Sequence, residues 1–200
     1  MFFKIEIDAF ISASGVGFYG EGGDEILTEE SPNVTKDFLS GVCEQWENKA
    51  EEFSGMCRSA SVRIGFVLDK NADGFNKLVQ PIRFGVGASL GSGNQYMSWV
   101  HLDDLTQIFL TVIKDETFSG PVNACSPNPL TNNDLTKKVA KHLHKPLFMP
   151  NVPRMVIKVL LGEMGDLALV GNRVLPAKLL KQGFKFKYPI LEDALKEIYN

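Results

Sequence analysis

The chain has 200 residues, 44% of them hydrophobic, with a formal net charge of -3, which suits one large domain or a medium domain with a small appendage. Lys and Arg form no concentrated block, so composition gives no reason to expect nucleic acid, and no apolar run approaches the length of a membrane span. The three cysteines, Cys43, Cys57 and Cys125, are odd in number and widely spaced; with Glu6 and Asp8 where a signal peptide needs an apolar core, they point to a reducing, cytoplasmic setting without a disulfide framework.

Ala9 to Val16 reads as a short strand that runs into small residues, Ser12-Ala13-Ser14-Gly15-Val16-Gly17. Serine and glycine at the carboxyl end of a buried strand leave room for a closely approaching ligand, or for tight packing alone. An acidic loop follows. Phe38, Val42, Trp46, Ala50 and Phe53 recur at helical spacing, so residues 36–53 are expected to form an amphipathic helix. Val62, Ile64, Phe66 and Leu68 alternate as a largely buried strand, and helices between strands without hairpin signals argue for a parallel sheet. The stretch from Phe75 to Gly87 begins as a helix whose regularity Pro81 limits.

The run Gly91-Ser92-Gly93 through Leu105 joins a bending loop to a dense polar and aromatic set, Gln95, Tyr96, Ser98, Trp99, His101 and Asp103. It fits a pocket wall or a tight structural loop equally well. Its end is a helix start, with Asp103 or Asp104 as the expected cap. Pro121–Cys125 reads as a further strand. Thr131 with Asp134 resembles a capping box for a helix through Leu135, Val139 and Leu143. Pro153 opens another helix, short helical segments lie around Leu167–Val170 and Pro176–Gln182, and a small helix ends the chain. His142 and His144 lie on a Lys-rich helix end and suit helix-end electrostatics better than a metal; with His101 remote from them in sequence, no metal site is expected.

Ser12-Ala13-Ser14-Gly15-Val16-Gly17-Phe18-Tyr19-Gly20, Arg63 through Leu68, and Gly91 through Asp104 resemble the epimerase-like branch of the extended short-chain dehydrogenase/reductases. The tail adds Gly162-Glu163-Met164, Asn172 through Pro176 and Leu179 through Pro189. The resemblance implies an α/β fold: a partial Rossmann-type parallel sheet with flanking helices over residues 1–130, with a substrate-side loop around 75–104, and a small, mainly helical C-terminal domain over 131–200. No glycine-rich GxGxxG turn opens the sequence. The resemblance therefore implies the C-terminal two-thirds of such a protein. NADP or NAD would serve the complete family members, and this chain alone would bind dinucleotide weakly or not at all. An exposed sheet edge would pair with another copy or with a missing N-terminal half. A non-catalytic binding or scaffold protein is the alternative.

The resemblance places Ser14, with Ser12 as second choice, as the serine that positions a substrate oxygen. It puts Cys43 and Glu47 where the family carries the Tyr and Lys of YxxxK, and no YxxxK occurs here. A glutamate cannot supply the cationic field that lowers a phenol pKa. Cys43 is then a substitute acid–base group or packed helix surface. Ser12, Ala13, Arg63, Gly65, Phe66 and Val67 are the implied cofactor contacts. Gln95, Met97, Ser98, Trp99 and His101 are implied on the substrate side, and Arg173 as a tie between C-terminal domain and core.

Overall fold

The computed structural model describes residues 7–161 and 169–200. The string Gly162-Glu163-Met164 and the start of the helical segment expected at Leu167 lie outside the described residues. The central element is a parallel three-stranded sheet of β1 (Ala9–Gly15), β3 (Arg58–Ile64) and β7 (Gly120–Ala124), with β3 in the middle. Three short pairings surround it. β2 (Gly23–Leu27) runs parallel to β9 (Asn172–Val174), β4 (Phe66–Leu68) runs parallel to β6 (Trp99–His101), and β5 (Tyr96–Met97) runs antiparallel to β8 (Leu130–Thr131). The helices are α1 (Phe38–Glu51), α2 (Asp73–Arg83), α3 (Leu102–Lys114), α4 (Asn132–His142), α5 (Arg154–Leu161), α6 (Ala177–Lys181) and α7 (Leu191–Tyr199). A single 3-10 turn, Val16–Tyr19, follows β1.

Strand alternation divides the chemistry of the sheet between its two faces. Ala60 and Val62 of β3 and Val122 and Ala124 of β7 pack with Leu105, Ile108 and Val112 of α3, an apolar core. Ser59 and Arg63, out of phase with them, turn to α1: Ser59 Oγ donates to the Ala50 carbonyl at 2.8 Å, and Arg63 pairs with Glu47. A second core joins α2, α4 and α7 around the wholly buried Trp99, with Leu68, Phe75, Leu135, Leu191 and Leu195.

Two features differ from the expectations above. α2 continues through Pro81 to Arg83, because in the last turn the missing N–H removes a single helical bond. The cap of α3 is neither aspartate: His101 Nδ1 accepts from Asp103 N at 3.1 Å. The Asp104 carboxylate, 1% exposed, instead accepts the backbone N–H groups of Lys187 at 2.7 Å and Tyr188 at 2.9 Å. The reason is burial: a carboxylate in the interior is held by converging donors, and the tail of the chain supplies them. Thr131 does cap α4, accepting from Asp134 N at 3.1 Å. Among the described residues no helix is long and apolar enough to cross a membrane.

Candidate functional site

The register of the parallel sheet aligns Ser14 with Arg63 and Arg63 with Asn123. One polar row therefore crosses three strands near their carboxyl ends, the edge at which open α/β sheets present ligands. α1 lies over this row. Ser14 Oγ donates to Glu47 Oε1 at 2.8 Å, Arg63 Nε donates to the same oxygen at 2.8 Å, and Arg63 Nη2 donates to Glu47 Oε2 at 2.7 Å. This is the fork-on-carboxylate geometry that suits guanidinium. Arg63 is 3% exposed, and its guanidinium carbon sits 3.4 Å from the centroid of the Phe18 ring and 4.8 Å from that of Tyr19.

Cys43, one turn of α1 before Glu47, lies beside Gly15 and Gly17 with its sulfur 3.8 Å from where a Gly15 Cβ would stand. Burial pushes its thiol pKa up, so it rests as the neutral thiol. Tyr19, behind Arg63, has its hydroxyl within 2.8 Å of Asn123 Oδ1 and 2.9 Å of the Thr28 carbonyl. Burial drives that phenol up to about 12 against the pull of Arg63. The structure thus brings together Ser14, Cys43 and Arg63, and adds Glu47, Tyr19 and Asn123. Arg63, read from sequence as a cofactor contact, spends two of its nitrogens on Glu47.

Gly65, Phe66 and Val67 continue β3 past the row and into β4. Gly65 is obligatory there, since a Cβ would stand 2.2 Å from the Ser98 carbonyl oxygen. Phe66 and Val67 are half-buried. Ser12 and Ala13 line an open, mainly apolar concavity of about 490 Å³ between β1 and α1, whose walls include Phe10, Trp46, Lys49 and Phe53.

The residues of the 91–105 run do not gather at the polar row; their side chains serve the fold. Gln95 Nε2 donates to the Leu90 carbonyl at 3.0 Å, and Met97 is half-buried against the second core with Asn132 Nδ2 3.3 Å from its sulfur. Ser98 Oγ donates to the Asn172 carbonyl at 2.7 Å and accepts from Val174 N at 2.9 Å, tying β9 to β6. Trp99 is 0% exposed and its Nε1 donates to the Asn128 carbonyl at 2.9 Å. Arg173 reaches the Tyr96 ring, its guanidinium carbon 5.2 Å from the centroid.

His101 is 4% exposed and packs on Tyr188 with ring centroids 4.2 Å apart and the ring planes tilted by 51°. Burial holds its pKa below the ordinary value, outweighing Asp103 and Asp104. Between the two pKa values the folded state binds fewer protons than the unfolded one, so this contribution is whole above the unfolded histidine pKa of about 6.5 and is lost as pH falls from there through the lower folded value. Urea unfolding at pH 5 and pH 8 should show the weaker protein at pH 5. This histidine adds a slope of at most about 1.4 kcal/mol per pH unit. His101→Asn keeps an acceptor for Asp103 N and should flatten that part of the profile; an unchanged slope would refute the assignment.

Comparison with known proteins places this geometry. The likeness is to epimerase family proteins. The chain is 35% identical over 188 residues to the epimerase family protein SDR39U1 homolog, chloroplastic, of Arabidopsis thaliana, covering 94% of this chain and 54% of that protein. It is 34% identical over 189 residues to the epimerase family protein YfhF of Bacillus subtilis, covering 94% and 62%. The crystal structure of human epimerase family protein SDR39U1 (isoform 2) with NADPH superposes with a TM-score of 0.89 at 29% identity, over 96% of this chain and 65% of that one. A nucleoside-diphosphate sugar epimerase from Corynebacterium glutamicum gives a TM-score of 0.73 at 35% identity, over 94% and 36%. Residues 152–198 match a domain of unknown function, DUF1731. The chain spans between half and two-thirds of the length of the curated relatives named here.

These findings correct one expectation, that truncation leaves this chain with little or no dinucleotide affinity, for which they give no basis. The likeness runs through 94–96% of the chain and includes a structure described with NADPH. The expectation of pairing at an exposed sheet edge, with another copy or with an N-terminal half, gains no support from these matches, which run through nearly the whole of this chain. The α/β architecture of parallel strands with flanking helices and a small helical C-terminal region stands; the description of the sheet as partial gains no support from the matches.

Proposed function

We propose that the protein is an NAD(P)(H)-dependent, epimerase-like oxidoreductase whose reactant side is the polar row of Ser14, Arg63 and Asn123 under α1. The observation that carries this reading is the buried cluster of Ser14, Glu47 and Arg63 at the carboxyl ends of parallel strands, in a chain so similar to a protein described with NADPH. Residues 1–130 then form the cofactor-side domain, and residues 131–200 the small C-terminal one.

The residues present fit a nicotinamide end. Phe66 and Val67 offer half-buried apolar surface for a neutral ring, and Ser12 with Ser14 offers hydroxyls for a ribose or reactant oxygen. Bound there, the nicotinamide supplies hydride exchange with the reactant. The chain's own residues orient and exclude. Ser14 holds the reacting oxygen, Ala13 leaves the backbone open to the ligand, and Cys43 is the acid–base group beside it. Gln95, Met97, Ser98, Trp99 and His101 act here through the loop that backs β4, not by touching the reactant.

Titration of isotope-labelled protein with NADPH, followed by amide chemical shifts, tests the reading. Saturable shifts at Ser14, Gly65, Phe66 and Val67 are expected. Saturation that leaves those amides unmoved, or no binding, would overturn it.

A further inference from the structure

A serine hydroxyl has one proton to give. In this protein the Ser14 proton is given to Glu47 Oε1, an ionised acceptor at 2.8 Å, and that carboxylate is kept in place by two bonds from Arg63. Neither partner is free to turn away. Arg63 is 3% exposed and roofed by Phe18, and the Glu47 side chain is 13% exposed. A hydrogen bond to a charged acceptor is stronger than one to a neutral carbonyl, so an incoming carbonyl oxygen would not win the proton from Glu47. What Ser14, 6% exposed and with the Cys43 thiol beside its hydroxyl, has left to offer is a lone pair.

We infer that Glu47, fixed by Arg63, makes Ser14 a hydrogen-bond acceptor toward its ligand, so that the group recognised there is a hydroxyl rather than a bare carbonyl. The inference rests on the reactant-side reading above and specifies its substrate class: the form bound productively at Ser14 is the alcohol, whose O–H points at Ser14 Oγ. Glu47 and Arg63 are positioning residues. They touch no reactant and act only by fixing where the serine proton lies.

The test uses propan-2-ol and acetone, matched in shape and differing in the donor, titrated into the labelled full chain with amide shifts at Ser14 and Gly15 as readout. Native protein should favour propan-2-ol by roughly three- to tenfold, the worth of one hydrogen bond. Glu47→Asp keeps the charge facing Arg63 but retracts it from Ser14, and the paired change Glu47→Leu with Arg63→Met removes the carboxylate and its counter-ion together; in both, the preference should vanish or invert. A merely structural role for the ion pair would lower stability and leave the alcohol-to-ketone ratio where it was. Equal or better binding of acetone to native protein, a preference that survives in Glu47→Asp, or no perturbation of Ser14 by either probe would each overturn the inference. NADPH shifts at Gly65–Val67 that persist alongside such a result would leave the oxidoreductase reading standing, whereas their absence would remove that reading instead.

Discussion

Glu47→Ala should cost about 3–5 kcal/mol of unfolding free energy, the range for breaking a buried ion pair from one side. The loss comes less from the attraction forfeited than from what is left behind, a guanidinium 3% exposed with its charge uncompensated. Two of its nitrogens would lose their acceptor at once, and Ser14 would lose the partner of its hydroxyl. Arg63→Ala strands the carboxylate instead and should fall in the same range, tempered by the greater exposure of Glu47. The double change to Leu and Met should recover most of the loss, because a buried pair replaced by apolar residues of similar volume is often neutral. Urea unfolding of Glu47→Leu, Arg63→Met and the double variant forms the cycle that checks this, with the alanine variants measured beside it. Single variants within about 1 kcal/mol of native would show that water reaches the pair freely.

Trp99→Ala is expected to lose about 3–5 kcal/mol, the usual cost of emptying an aromatic site in a core. Trp99 is among the largest wholly buried side chains and sits where β6 meets the second core. Its removal would also leave the Asn128 carbonyl without its indole donor. Trp99→Phe retains most of the volume and should cost less than half as much. The measurement separates two roles for this residue. A wall residue of an open pocket would change ligand affinity with little loss of stability, whereas a core residue does the reverse.

Much of the scaffold could be read in advance because it rests on local periodicity. The helix over Phe38–Glu51, the strands at Ala9–Gly15 and Gly120–Ala124, and the Thr131 cap all carry their signals within a few residues, whereas the single strand expected over 62–68 is divided at Gly65 between β3 and β4. Ser14 and Cys43 stood out only through the family resemblance. The pairing of Arg63 with Glu47 did not, since it depends on how α1 lies over β3, a property of two separate segments meeting. The polar density of residues 91–105 was ambiguous for a related reason. Ser98, Trp99 and His101 carry groups that bind ligands in other proteins, but here each finds its partner in the backbone of the fold. Composition shows which groups need satisfying and is silent on what satisfies them. The cap of α3 went to a histidine because the carboxylate next in line was claimed from across the structure.

That claim by Asp104 has a consequence for how the molecule comes apart. The segment at Lys187 and Tyr188 satisfies a carboxylate sealed beneath it, so lifting that segment away exposes more than greasy surface: it leaves Asp104 shut in without those donors. Release of this segment is thereby coupled to rupture of the interior, and it behaves as the keystone of the fold.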